Sequence, residues 1–138
     1  MIKNKKGFSL IEVMVAMAIL SMAFVALSAA FPFGLSVTKA AEGSMTAFYL
    51  AQEELEQLNA SGYGNIATGT IEAKHRLSND PSSYLYAYQR ETSVTYIDGN
   101  LSSSVSDLGM KKISVTVYYA GSSKTERTYN ITTIISQK

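Results

Sequence analysis

Lys5-Lys6-Gly7-Phe8-Ser9-Leu10-Ile11-Glu12-Val13 opens the apolar part of this 138-residue chain, and its reading decides the fold. A basic stretch ends in glycine, an apolar run begins at phenylalanine, and one carboxylate interrupts that run four residues later. Lys3, Lys5 and Lys6 form the positive flank that keeps an N-terminus on the cytoplasmic side of a membrane. From Phe8 to Phe31 nearly every residue is apolar or small. At about 1.5 Å per residue these 24 positions make roughly 36 Å of helix, enough to cross a hydrocarbon core of about 30 Å. A carboxylate at mid-bilayer costs on the order of 3 kcal/mol, which makes Glu12 a functional-site candidate.

Outward from that segment, the helix pattern has three further features. Ala26, Ala30 and Gly34 repeat at a spacing of four, either as a small-residue face for close helix approach or as chance in an alanine-rich helix. Pro32 lacks an N–H and its ring meets the carbonyl of Ser28, so a bend or local unwinding is expected there. Beyond it, Ser36 to Asn59 reads as an amphipathic helix whose apolar stripe is Val37, Ala41, Met45, Phe48, Ala51, Leu55 and Leu58. Ser61-Gly62 is the stop signal. Glu53, Glu54 and Glu56 stand in the last turns, where the helix dipole favours cations. They face either water or a basic patch on another subunit.

The remainder reads as a small sheet. Thr70 to Leu77 is a short strand, and Tyr84 to Ile97 is a tyrosine-rich one in which Tyr84, Tyr86, Tyr88, Val94 and Tyr96 share a parity. Asp98 to Gly109 is a polar loop. Ile113, Val115, Val117 and Tyr119 alternate with polar or half-polar neighbours, the pattern of a half-buried strand. Gly121-Ser122-Ser123 turns the chain, and Tyr129, Ile131, Thr133 and Ile135 share one face of the return strand. Such a sheet laid over the amphipathic helix makes an α+β domain.

Composition excludes several functions. There is no cysteine, hence no disulfide, thiol catalysis or cysteine-based zinc site. His75 is the single histidine and reads as a surface residue. No Gly-x-Ser-x-Gly elbow or phosphate-binding glycine loop occurs. Asp98, Asn100 and Asp107 could offer oxygens to calcium, without a recognisable ligand pattern, and no metal or other cofactor is expected. Of twelve Lys and Arg, three stand in the leader, so nine face eleven acids in the remainder, a formal −2. Without a basic block, no direct nucleic-acid binding is expected. Asn59, Asn100 and Asn130 begin glycosylation triplets, which arise often by chance.

Gly7-Phe8-Ser9-Leu10-Ile11-Glu12-Val13-Met14-Val15-Ala16-Met17-Ala18-Ile19-Leu20 resembles the cleavage and methylation segment of type IV prepilins and type II secretion pseudopilins. Two further segments, Leu50 to Leu58 and Lys111 to Tyr119, resemble pseudopilin I and the V-type minor pilins. The resemblance implies a pilin-like fold: leader 1–7, transmembrane helix half 8–35, and globular domain 36–138 with helix 36–60 and antiparallel sheet 70–136. It implies peptidase cleavage between Gly7 and Phe8, N-methylation of Phe8, and a charge pair between Glu12 and the Phe8 amine of an adjoining subunit. Against that pair stand a Glu12 that neutralises its own Phe8 amine and one that is protonated. The implied partners are other pilins or pseudopilins, the prepilin peptidase, the inner-membrane assembly platform and membrane lipid. The implied location is the inner membrane, single-pass, with the C-terminal domain outside, followed by incorporation into a filament.

A rival reading is a membrane-anchored or secreted ligand-binding module with an atypical signal sequence, recognising its ligand through the tyrosine-rich strands. Ser28-Ala29-Ala30 would then serve a general signal peptidase. That reading leaves Glu12 without a purpose.

Overall fold

The computed structural model describes residues 7–121 and 125–137. Lys3, Lys5, Lys6, Ser122 and Ser123 therefore lie outside the described residues. Helix α1 runs from Leu10 to Ser61, and the strands are β1 (Gly69–Arg76), β2 (Tyr88–Ile97), β3 (Ser103–Ser104), β4 (Met110–Ala120) and β5 (Glu126–Ser136). By their internal contacts Met1–Thr38 and Lys39–Lys138 are separate compact units.

In the N-terminal unit α1 passes through Pro32 without interruption, which corrects the local unwinding expected there. The missing Pro32 N–H removes one bond of the helical ladder, and helix resumes on its C-terminal side because proline's fixed φ is itself helical. Ser21, Ser28 and Thr38 turn their hydroxyls back onto the carbonyls of Met17, Phe24 and Gly34, so these polar groups are satisfied within the helix. Every residue from Gly7 to Leu35 is exposed, large apolar side chains included.

The C-terminal unit is one antiparallel sheet of order β1-β2-β4-β5. β4 occupies one side of β2 from Tyr88 to Tyr96, and β1 and the short β3 share the other. Alternation places Ile113, Val115, Val117 and Tyr119 inward, opposite Thr133, Ile131, Tyr129 and Arg127 of β5. Ile113, Val115 and Val117 are fully buried. Against this face pack Ala47, Leu50, Ala51 and Leu55 of α1, with Leu58 partly buried beside them. The result is the expected α+β arrangement, a long N-terminal helix on a small antiparallel sheet, and it matches a pilin-like fold.

Three details differ from the expected patterns. The buried stripe is as expected at Ala51, Leu55 and Leu58, but Val37, Ala41 and Met45 are exposed, and Gly43, Ala47 and Leu50 face the sheet as well. Small residues win that face because Tyr119 needs room there. A methyl on Gly43 would stand 3.3 Å from two Tyr119 ring carbons. Next, Tyr84–Ala87 is a 3-10 turn rather than strand, started by Ser83, whose hydroxyl accepts the Leu85 N–H. β2 therefore begins at Tyr88, and Tyr88, Arg90, Thr92 and Val94 are on its inward side. Finally, the loop after β2 is not wholly irregular, since Ser103–Ser104 pairs with Tyr96 and Ile97.

Gly62 ends α1 with φ +82°, a backbone conformation that costs glycine least. The next turn, Tyr63–Asn65, is held by Lys111, which points inward from β4 and is almost fully buried. Its ammonium donates to the Tyr63 and Ile66 carbonyls at 2.8 and 2.7 Å and lies 4.2 Å from the centre of the Tyr63 ring. One lysine thus ties the end of the helix to the middle of the sheet.

Gly43 gives a direct test of the packing. We expect Gly43→Leu to destabilise the sheet unit by about 1–3 kcal/mol through overpacking against Tyr119. Gly43→Ala should lie near neutral, because a helix-propensity gain of about 1 kcal/mol offsets the displaced ring. Urea unfolding followed by tyrosine near-ultraviolet circular dichroism would separate the two.

Candidate functional site

The N-terminal segment is built by the start of α1. The Ser9 carbonyl accepts the N–H groups of Glu12 and Val13 at 3.1 and 3.2 Å, so helix begins at Leu10 and Phe8 stands just before it. Glu12 falls in the first turn, where a carboxylate complements the unpaired N–H groups and the positive end of the helix dipole. Helical spacing places Phe8, Glu12, Val13, Ala16, Met17 and Leu20 around one shallow groove on the side of the helix. The two residues singled out from the sequence, Phe8 and Glu12, therefore share one face.

Gly7 is informative for what it does not do. Its backbone is not in the left-handed region, and a Cβ there would meet nothing within 4 Å. Among the described residues nothing stands in the way of a side chain at that position.

The described residues hold a second charged constellation that sequence reasoning missed. Arg90 on β2 donates Nε and one Nη to the two Glu72 carboxylate oxygens of β1 at 2.8 and 2.9 Å. An Nη of Arg90 also reaches Glu54 of α1 at 2.8 Å. Thr92, fully buried, donates its hydroxyl to Glu72 at 2.8 Å, and His75 Nε2 stands 3.5 Å from the same carboxylate. The side chains of Arg90, Glu54 and Glu72 are only 15, 13 and 17 % exposed, so this cluster differs from a surface bridge. It supplies the folding reason for Glu54 that the sequence lacked, and it corrects the choice between water and a neighbouring subunit for that residue. Glu53 and Glu56 remain exposed and accept hydrogen bonds from Gln57 and Gln52.

The two carboxylates respond differently to the same arginine. For Glu54, burial outweighs the Arg90 charge and pushes its pKa up. For Glu72, burial also pushes up, but the Arg90 and Thr92 hydrogen bonds and the Arg90 charge together hold it below the ordinary carboxylate value. Arg90 itself is raised: burial works against its charge, and the two acids overcome that. The arrangement ties β1, β2 and the end of α1 together.

Other sequence candidates are engaged locally. Asp98 accepts the N–H groups of Asn100 and Ser102, and Asp107 accepts from Gly109 N–H and the Tyr63 hydroxyl. Among the described residues no group of three or more acidic, histidine or cysteine side chains is placed to hold a metal. His75 is half-exposed, as expected of a surface residue. Asn130 donates its amide to Ser114 and Thr116 across β4 and β5.

Residues 2–28 match the prokaryotic N-terminal methylation motif. No curated protein and no solved structure matches the chain. The motif spans well under half of the chain, and it supports a type IV pilin-like family, whose members are structural rather than catalytic. It implies, in general terms, processing by a prepilin peptidase and association with other pilins. α1 also contains a stretch apolar enough to cross a membrane, and none of that stretch is buried within the protein. Helix and motif together fit a membrane-anchored pilin-like chain.

Proposed function

We propose that this chain is a minor pilin or pseudopilin, a structural subunit without enzymatic activity that initiates or lies near the tip of a type IV pilus or type II secretion pseudopilus. A competence pseudopilus fits the same reading, with any DNA contact made by partners. The observation that carries the proposal is Glu12, a single carboxylate on the Phe8 face of an uncovered apolar helix whose sequence matches the methylation motif. The I- and V-type resemblance of residues 50–58 and 111–119 supports the low-copy role.

In this reading the peptidase cuts between Gly7 and Phe8 and methylates the new Phe8 amine, which keeps its positive charge. The subunit waits in the inner membrane with its N-terminus cytoplasmic and the sheet unit outside. An ATP-driven platform then moves it into the filament. There Glu12 pairs with the Phe8 amine of the adjoining subunit. In a low-dielectric surrounding an unpaired charge is costly, so the pair sets axial register as well as affinity.

Mass spectrometry of the mature N-terminus tests the processing step. The expected chain begins at Phe8 and carries one added methyl. A chain beginning near Phe31, or one retaining Met1, would sink the proposal. Gly7→Val should leave the precursor unprocessed in the membrane. Because a Cβ at Gly7 would meet nothing within 4 Å, the sheet unit of this variant should remain as stable as wild type.

A further inference from the structure

Residues 98–109, between β2 and β4, have no part in the filament reading. They carry one of the three Asn-x-Ser/Thr triplets of the chain and three exposed large apolar side chains, Leu101, Val105 and Leu108. Sequence alone treats the triplets alike. The fold separates them, because attachment of a bulky sugar chain needs a surface asparagine whose amide nitrogen is free, with an accessible hydroxyl two residues on.

Two of the triplets are closed. Asn130 lies in the middle of β5, and its side-chain amide donates to Ser114 and Thr116 at 2.9 and 2.8 Å, so freeing it means opening the β4–β5 ladder. Asn59 is inside α1, and the hydroxyl of its triplet, on Ser61, donates back to the Leu58 carbonyl at 2.7 Å. Asn100 differs in each respect. It is exposed, in the turn between β2 and β3, and neither its side-chain amide nor the Ser102 hydroxyl makes a hydrogen bond among the described residues. Asp98 shapes this turn: its carboxylate accepts the Asn100 and Ser102 N–H groups at 2.9 and 2.8 Å, and its own N–H donates to the Ser102 carbonyl at 2.9 Å. Leu101, between acceptor and hydroxyl, has φ +64°, a left-handed backbone uncommon for leucine. β3 pairs with β2 at two positions only, so the turn opens to an enzyme at little cost to the sheet.

We propose that Asn100 is an N-glycosylation site, modified by an oligosaccharyltransferase that takes its oligosaccharide from a polyprenyl diphosphate carrier. In the transfer, Asn100 Nδ2 bonds to C1 of the first sugar and the C1–O bond to the diphosphate breaks. The amide gives up one proton and polyprenyl diphosphate leaves, with no change of oxidation state. The assignment rests on the filament reading in one respect, that the sheet unit lies outside the membrane, where such a transfer takes place. The same loop gives the glycan a purpose. Leu101, Val105 and Leu108 are 60, 100 and 57 % exposed, and a hydrophilic chain rooted at Asn100 screens these apolar side chains from chance contacts with other proteins.

The test is mass spectrometry of a tryptic digest of the protein purified from the membranes of the cells that make it. The peptide of residues 91–111, released after Arg90 and Lys111, is expected to carry a glycan on Asn100, located by electron-transfer fragmentation. Asn100→Gln and Ser102→Ala should each abolish the modification, while Asn59→Gln should leave it unchanged. The N-terminal peptide of the same digest reports on the filament reading separately. A chain beginning at Phe8 with a bare Asn100 would overturn the glycan assignment and leave the filament reading standing. A glycan on Asn100 of a chain beginning near Phe31 would do the reverse. Glycan on Asn59 or Asn130 in place of Asn100, or full occupancy in Ser102→Ala, would also overturn the assignment.

Discussion

Replacing Arg90 by leucine is expected to destabilise the sheet unit by about 3 kcal/mol. The cost comes from what stays behind. Glu54 and Glu72 both keep less than a fifth of their side-chain exposure, and without the guanidinium they face each other as like charges in a partly dry site. Removing one partner of a buried pair typically costs about 3–5 kcal/mol, and the lower end applies because some water still reaches these acids.

The pH dependence supplies a second readout. In the wild type Glu72 has a lowered pKa, so its contribution is full above the unfolded carboxylate range and is lost as pH falls through its folded value. Glu54 has a raised pKa and works in the opposite sense, since the folded state takes up its proton first as pH falls. The two partly cancel, and wild-type stability should change little from this cluster between neutrality and about pH 5. In Arg90→Leu both acids favour protonation in the folded state, so stability should rise as pH drops from 7 towards 5. Urea midpoints across that range would show it. A variant that loses stability uniformly at every pH would mean that the cluster acts by packing rather than by charge.

Glu12→Leu is expected to abolish incorporation into filaments while membrane insertion and Gly7–Phe8 cleavage persist. Insertion should if anything improve, because the change removes an expensive charge from the apolar segment. Assembly should fail because the neighbouring Phe8 amine would be carried into an apolar environment unpaired. A penalty of about 3 kcal/mol corresponds to roughly 100-fold weaker incorporation. Comparing the protein in sheared filaments with that in membranes, by immunoblot, measures it, and mass spectrometry reads the methyl group in parallel. Normal assembly of the variant would show that the charge pair is not how this subunit docks. No folding defect is expected to confuse the result, since Glu12 is exposed and belongs to the N-terminal unit.

The extent to which this protein could be read from its residues follows the range of the forces involved. Strand alternation in β4 and β5 was legible because a period of two needs no partner to be seen. The buried face of α1 was legible at Ala51, Leu55 and Leu58 but not at Gly43, Ala47 and Leu50. Gly43 and Ala47 are small residues that carry little apolar signal, and at Gly43 the Tyr119 ring across the interface leaves little room for more. Arg90 and Glu54 did leave a trace, a charge at an inward strand position and another on an apolar helix stripe. Matching them required knowing that β1, β2 and the end of α1 converge. Lys111 is a similar case, a charge at an inward strand position whose partners, the Tyr63 and Ile66 carbonyls, lie more than forty residues away in sequence.

The N-terminal segment is the opposite case. Its helix, its apolar length, its single acid and the glycine before Phe8 are all local features, and the sequence by itself determined them. Folding adds only that Phe8 and Glu12 lie along one groove. The tertiary structure alone decided which helix face is covered and which acids are paired within the chain. Each of those depends on residues brought together by strand register across dozens of positions. Glu12 has no side-chain partner among the described residues, and the proposed filament reading supplies one in the Phe8 amine of an adjoining subunit.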